Sequence, residues 1–149
     1  MLKGKKVKLG PVKKEYIDHY LRWLNNSELT QFLTWYRPLT REMEEDWYNN
    51  LKNRENFFIF AILLIEGDEN EKIIGNCSID VNWINRVGTC GIIIGEKMFQ
   101  GKGYGSEAME LLVYYGFNTL NLNRIQLEVF SFNIRALKSY QKVGFKEEG

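Results

Sequence analysis

One stretch of this 149-residue chain leaves little freedom in how it folds. Between Ile92 and Phe130 the apolar run "GIIIGEKMF" leads into the glycine-dense "QGKGYG". An amphipathic pattern follows, carrying Ala108, Met109, Leu111, Leu112, Tyr115 and Phe117, and then "RIQLEVF" reads as another strand. Two strands joined through a helix pair in parallel by a right-handed crossover. Ligands of such units bind beyond the carboxyl ends of the strands, at the helix N-terminus. Glycines this dense at that point imply a backbone that approaches a ligand closely, and a phosphate-bearing ligand outranks a bare turn.

The rest of the chain supplies a first strand around Val7 to Leu9 and a helix with Tyr16, Ile17, Tyr20, Leu21 and Leu24 at helical spacing, ending at Asn25 and Asn26. A second helix is expected after Pro38, with Thr40 as N-cap and "REMEEDWYNNLKN" as body; the acids Glu42, Glu44, Glu45 and Asp46 suit the positive end of its dipole. "NFFIFAILLI" is a buried-strand run with "EGDENE" as the following turn. "KIIGNCSIDVNWI" and "VGTCGIIIG" are two more strands, joined near Asn85 and Arg86. "NIRALKSYQKV" is a last helix stopped by Gly144. With no repeat or linker, residues 1–149 read as a single domain.

Composition narrows the function. A net charge of +1 argues against a dedicated nucleic-acid or membrane surface, and the lysines of "KGKKVK" read as solvated. Cys77, Cys90 and the single His19 offer neither a disulfide framework nor a metal-ligand spacing. "MLKGKKVKLG" lacks the apolar core of a signal peptide, and "FFIFAILLI" is half the length of a membrane span. The expectation is a soluble, cytoplasmic, metal-free protein.

Two glycine motifs fail on the loop. A Walker A loop requires Ser or Thr after its lysine, and Lys102 is followed by Gly103. A dinucleotide fingerprint requires G-x-G-x-x-G, whereas Gly101, Gly103 and Gly105 give G-x-G-x-G with no acid near Phe130 to Phe132. What fits is Q-x-x-G-x-G at Gln100, Gly103 and Gly105, together with N-x-x-A-x-x-x-Y-x-x-x-G-F at Asn133, Ala136, Tyr140, Gly144 and Phe145. Both resemble, in order and at the right separation, signatures of the GNAT superfamily of acyl-CoA-dependent N-acetyltransferases. The likeness spans most of the chain and is nearest the ribosomal-protein and spermidine acetylating branch.

The resemblance implies a mixed α/β fold: a central mixed sheet flanked by helices, with splayed parallel strands. It implies acetyl-CoA as cosubstrate, its diphosphate held by Gln100, Gly101, Lys102, Gly103, Tyr104, Gly105 and Ser106. Backbone N–H groups there can form a nest for phosphate. Lys102 is either an added point charge or an exposed loop lysine. The backbone of Ile92, Ile93 and Ile94 would pair with the pantetheine amides, while those side chains also serve as strand core. Asn133 would contact the cofactor or cap the last helix, and Ala136 and Tyr140 would flank it.

Tyr140 matches the family's general acid for the departing thiolate, against the plainer role of an aromatic packing the last helix. Glu128, inside "LEV", is a candidate base or an exposed strand glutamate. Trp23, Trp35, Tyr36, Trp47 and Tyr48 belong to the early helices that border the acceptor side in this fold, where aromatics and acids such as Glu28 could hold a cationic amine; more often such aromatics are simply core. The acceptor implied is a primary amine: a protein N-terminus, a polyamine or another small amine. A non-catalytic acyl-CoA-binding module is the alternative. The family normally continues past "GF" with two more strands, so a C-terminally truncated domain, a missing hairpin, an open strand edge and self-association are expected.

Overall fold

The computed structural model describes residues 2–26, 39–65, 71–128 and 134–148. Its strands are β1 (Leu2–Lys3), β2 (Val7–Gly10), β3 (Phe57–Leu64), β4 (Lys72–Asn82), β5 (Val87–Ile94) and β6 (Arg124–Leu127). They form one sheet in sequential order. Every neighbouring pair is antiparallel except β5 and β6, which run parallel as the strand–helix–strand reading expects. The helices are α1 (Ile17–Leu24), α2 (Arg41–Asn50), α3 (Tyr104–Asn118) and α4 (Ile134–Val143).

The unbroken apolar run of β3 follows from burial on both faces of the sheet. Ile62 and Leu64 join Val7, Leu9, Ile74 and Ile79 beneath Ala108, Met109 and Leu112 of α3. Ala61 and Leu63 point the other way, to Tyr16, Tyr20 and Trp23. Opposite Ile62 and Leu63, β4 carries one extra residue, Ile74, because Ile62 pairs with Gly75 and Leu63 with Ile73. That bulge shifts the alternation, so that Ile74 shares the α3-side core with Cys77, Ile79 and Val81.

Local signals hold well. Thr40 Oγ1 accepts from the Met43 N–H at 3.2 Å, capping α2. Asn25 ends α1 and clasps Leu39, donating from Nδ2 to its carbonyl at 2.9 Å and accepting its N–H at 2.7 Å. Gly144 has φ +115°, and the Phe145 N–H returns to the Tyr140 carbonyl at 3.0 Å, stopping α4. The turn "EGDENE" lies, but for Glu71, outside the described residues.

Three details correct the sequence reading. The buried stripe entering and forming α1 is Tyr16, Ile17, Tyr20 and Trp23, not Leu21 and Leu24. Before Val7 lies the further strand β1, and Gly4, Lys5 and Lys6 of the lysine run form the turn between β1 and β2. That turn is held by the Glu107 carboxylate, which accepts the N–H groups of Lys5, Lys6 and Val7 at 3.1, 2.8 and 2.7 Å. Finally, β6 ends at Leu127, so Glu128 lies one residue beyond the strand.

Candidate active site

The loop after β5 is built to leave backbone exposed. Gln100 donates from Nε2 to the Ile94 carbonyl at 2.9 Å, so this side chain ties the loop to the strand end. Gly101 has φ +71° and Gly103 φ +88°, a region open to glycine at little steric cost. Gly103 is the N-cap of α3, and no side chain caps that helix. The acid in its first turn, Glu107, is committed to the β1–β2 turn instead. The first N–H groups of α3 therefore keep the positive end of the helix dipole open to an anion. A Cβ on Gly103 would meet nothing within 4 Å, so the space above it is free for a ligand.

Positive charge reaches the same place from an unexpected element. A Cβ on Gly101 would lie 3.3 Å from Nη1 of Arg135, so the first turn of α4 hangs a guanidinium over the loop. Sequence reasoning missed Arg135, although its place between Asn133 and Ala136 was the available signal. Lys102 is exposed. Ser106 is engaged with Ser139 at 2.6 Å between hydroxyls, and Tyr104 stacks edge-on with Phe99 at 5.6 Å between centroids. Ala136 is half-buried on α4.

The parallel ladder stops early. Its described pairs run from Val87–Arg124 to Cys90–Leu127, whereas β5 continues to Ile94 against β4. One edge of residues 91–94 thus lies beyond that ladder. Ile92 and Ile94 pack against the α3-side core, while Ile93 points to the opposite face.

Tyr140 is half-buried against the α3-side core, its ring 6.2 Å from Phe145. Burial, and to a lesser degree Cys90, raise its phenol above the ordinary tyrosine value, so it is protonated at neutral pH. Burial also pushes the Cys90 thiol up to about 12 and that of Cys77 higher still, which makes both inert thiols. Glu128 is exposed and makes no hydrogen bond or ion pair with a described residue. Asn133 lies outside the described residues, as do Glu28, Trp35 and Tyr36.

On the opposite face a cavity of about 170 Å³ is lined by Tyr20, Trp23, Leu24, Glu44, Trp47, Asn76 and Ile93. Tyr20 donates to Asn76 Oδ1 at 3.1 Å, and its ring stands edge-on to Trp47 at 5.9 Å. Trp23 packs flat on the backbone of Gly95, where a Cβ would fall 1.9 Å from the indole, and donates to Glu96 Oε1 at 3.2 Å. His19 belongs to the exposed cluster of Arg22 and Glu96. A larger dent of about 390 Å³ at the far end of β3 and β4, formed by residues 53–57 and Asp80, contains none of these groups.

Residues 6–146 match the Acetyltransferase (GNAT) domain. The chain belongs to the GNAT acetyltransferase family. It is thereby an acetyl-CoA-dependent N-acetyltransferase domain. Among curated relatives it is 27% identical to the alpha/beta-tubulin-N-acetyltransferase 9 of Homo sapiens, over 99% of this chain and 75% of that protein. It is 38% identical to the spermidine N(1)-acetyltransferase of Escherichia coli K12 over 48% of this chain and 38% of that one. Its fold superposes with a TM-score of 0.86 on the spermidine N-acetyltransferase of Vibrio cholerae, crystallised with CoA and spermine. The match has 25% identity and covers 96% of this chain and 82% of that one. The open loop suits a diphosphate: a helix N-terminus without a side-chain cap, a vacant Cβ position at Gly103 and a nearby cation. Among the described residues no cluster of His, Cys, Asp and Glu is suited to a metal, and no helix is long and apolar enough to cross a membrane.

Proposed function

We propose that this chain transfers the acetyl group of acetyl-CoA to a primary amine, with Tyr140 as the general acid. The observation that carries the reading is the position of Tyr140: its protonated phenol packs against the core that includes Cys90, the last residue of β5 in a described pair with β6. The thioester of a pantetheine arm paired along Ile92–Ile94 would reach that point. The loop from Gln100 to Ser106, with Arg135 above it, holds the diphosphate.

The amine nitrogen forms its bond to the thioester carbonyl carbon, and the carbon–sulfur bond breaks. Tyr140 gives its proton to the departing thiolate and recovers one from solvent. The proton lost by the amine leaves through water to Glu128, which is exposed just past β6. Backbone and helix dipole at the loop position the cosubstrate, and positioning is a large part of the rate.

Calorimetry with acetyl-CoA and a CoA-release assay over a panel of amines test this reading. Gly103→Ala is the informative variant, since its Cβ projects into the space assigned to phosphate. Its positive φ adds strain of about 1 kcal/mol, so the melting point is measured alongside. A folded variant is expected to lose at least about tenfold in acetyl-CoA affinity, equivalent to ~1.4 kcal/mol. Unchanged affinity overturns the phosphate assignment. Binding without release of CoA on any amine leaves an acyl-CoA-binding module in place of an enzyme.

A further inference from the structure

Glu44 is the one charged residue among the described buried set, at 5% exposure, and it lines the cavity between α1, α2 and the sheet. Its carboxyl makes no hydrogen bond or ion pair with a described residue. A carboxylate largely shielded from water is disfavoured in its charged form, and a cation beside it offsets that cost. Around it stand the rings of Tyr20, Trp23 and Trp47, whose faces attract cations. Among the described residues no lysine or arginine lines the cavity.

Resting on the acetyl-transfer reading, we propose that this cavity holds an alkylammonium group of the acceptor, with Glu44 as its counter-ion and the three rings as its walls. Two features give the cavity this use. Ile93, one of its walls, belongs to the part of β5 beyond the parallel ladder, so the cavity borders the gap where the thioester is expected. Its volume of about 170 Å³ is below the ~300–1,000 Å³ of pockets for drug-sized ligands, and suits a slender alkyl arm.

The nitrogen held by Glu44 is not the one that is acetylated. A carboxylate pair stabilises the protonated amine, whereas attack on a thioester requires the free lone pair. The acceptor therefore carries a second cationic nitrogen: Glu44 anchors one, and the other reaches the thioester as the neutral amine. Glu44 selects diamines and polyamines over monoamines of equal length.

The test compares 1,4-diaminobutane with n-butylamine on the full chain. Binding is followed by fluorescence of Trp23 and Trp47 at saturating CoA, and turnover by CoA release. The parent is expected to bind the diamine at least about tenfold more tightly, the scale of a charge-assisted bond. Glu44→Gln should erase that preference while acetyl-CoA affinity, read by calorimetry, stays within about twofold. Trp47→Leu should weaken diamine binding by a smaller factor, through the lost ring. Equal binding of the two amines to the parent overturns the proposal, as does a diamine preference that survives in Glu44→Gln. Diamine binding that depends on Glu44 but never leads to acetylation keeps the pocket and removes the transfer reading. Normal acetylation of butylamine without a diamine preference does the reverse.

Discussion

The hydroxyls of Ser106 and Ser139 lie 2.6 Å apart and join the first turn of α3 to the middle of α4. One of these helices opens on the phosphate loop, and the other carries Tyr140. The contact therefore fixes the distance between the assigned cosubstrate loop and the assigned acid.

Replacing either serine by alanine strands the other hydroxyl in a half-buried place. Each single change is expected to lower stability by about 1 kcal/mol, and the double change by less than their sum. Urea unfolding of the four proteins measures this. Strict additivity would show that the hydroxyls are neighbours without being partners.

Tyr140→Phe keeps the ring against Phe145 and removes the proton. A fall in kcat of about 100-fold or more is expected, with acetyl-CoA affinity nearly unchanged. Because burial and Cys90 raise the phenol above its usual range, the parent keeps this proton through alkaline pH and the defect should persist there. Glu128→Gln should behave oppositely, its loss fading as the free amine becomes abundant. Normal turnover by Tyr140→Phe would make Tyr140 a packing residue.

Burial raises the Glu44 carboxyl above the ordinary glutamate value. The folded chain thus keeps this proton to higher pH than the unfolded chain does. The resulting stability is fully present below the ordinary glutamate range and is lost as pH rises through the folded value. Glu44→Gln keeps the shape and cannot ionise. It should melt above the parent near pH 8, with the gap closing towards about pH 4. A constant gap across that range would mean that Glu44 does not titrate differently in the folded chain. The same substitution is expected to improve the fold and damage recognition.

Much of the fold is legible because its signals are local. Glycine spacing marks Gly101 to Gly105, apolar period marks β3 to β5, and Thr40 marks the start of α2. What escaped is set by distant partners. The strand β1 has two residues, too few for any period, and its turn depends on Glu107 about a hundred positions later. Glu44 reads as a dipole partner in an acidic first turn, and only the packing of α2 over Tyr20 turns it inward. Arg135 meets Gly101 through the crossing of α4 over the loop, which no spacing records. Glu128 reads as strand by alternation, yet β6 ends at Leu127.

Among the described residues eight pairs join β4 to β5, and four join β5 to β6. Each further hydrogen bond in the shorter ladder would add about 0.5–1.5 kcal/mol to the fold. A lineage under pressure for heat resistance alone would therefore favour a longer β5–β6 ladder, at the expense of any room between the strands for a cosubstrate. A short ladder would then persist only where turnover is under selection too, and its length in descendants of this domain would record whether they still do chemistry.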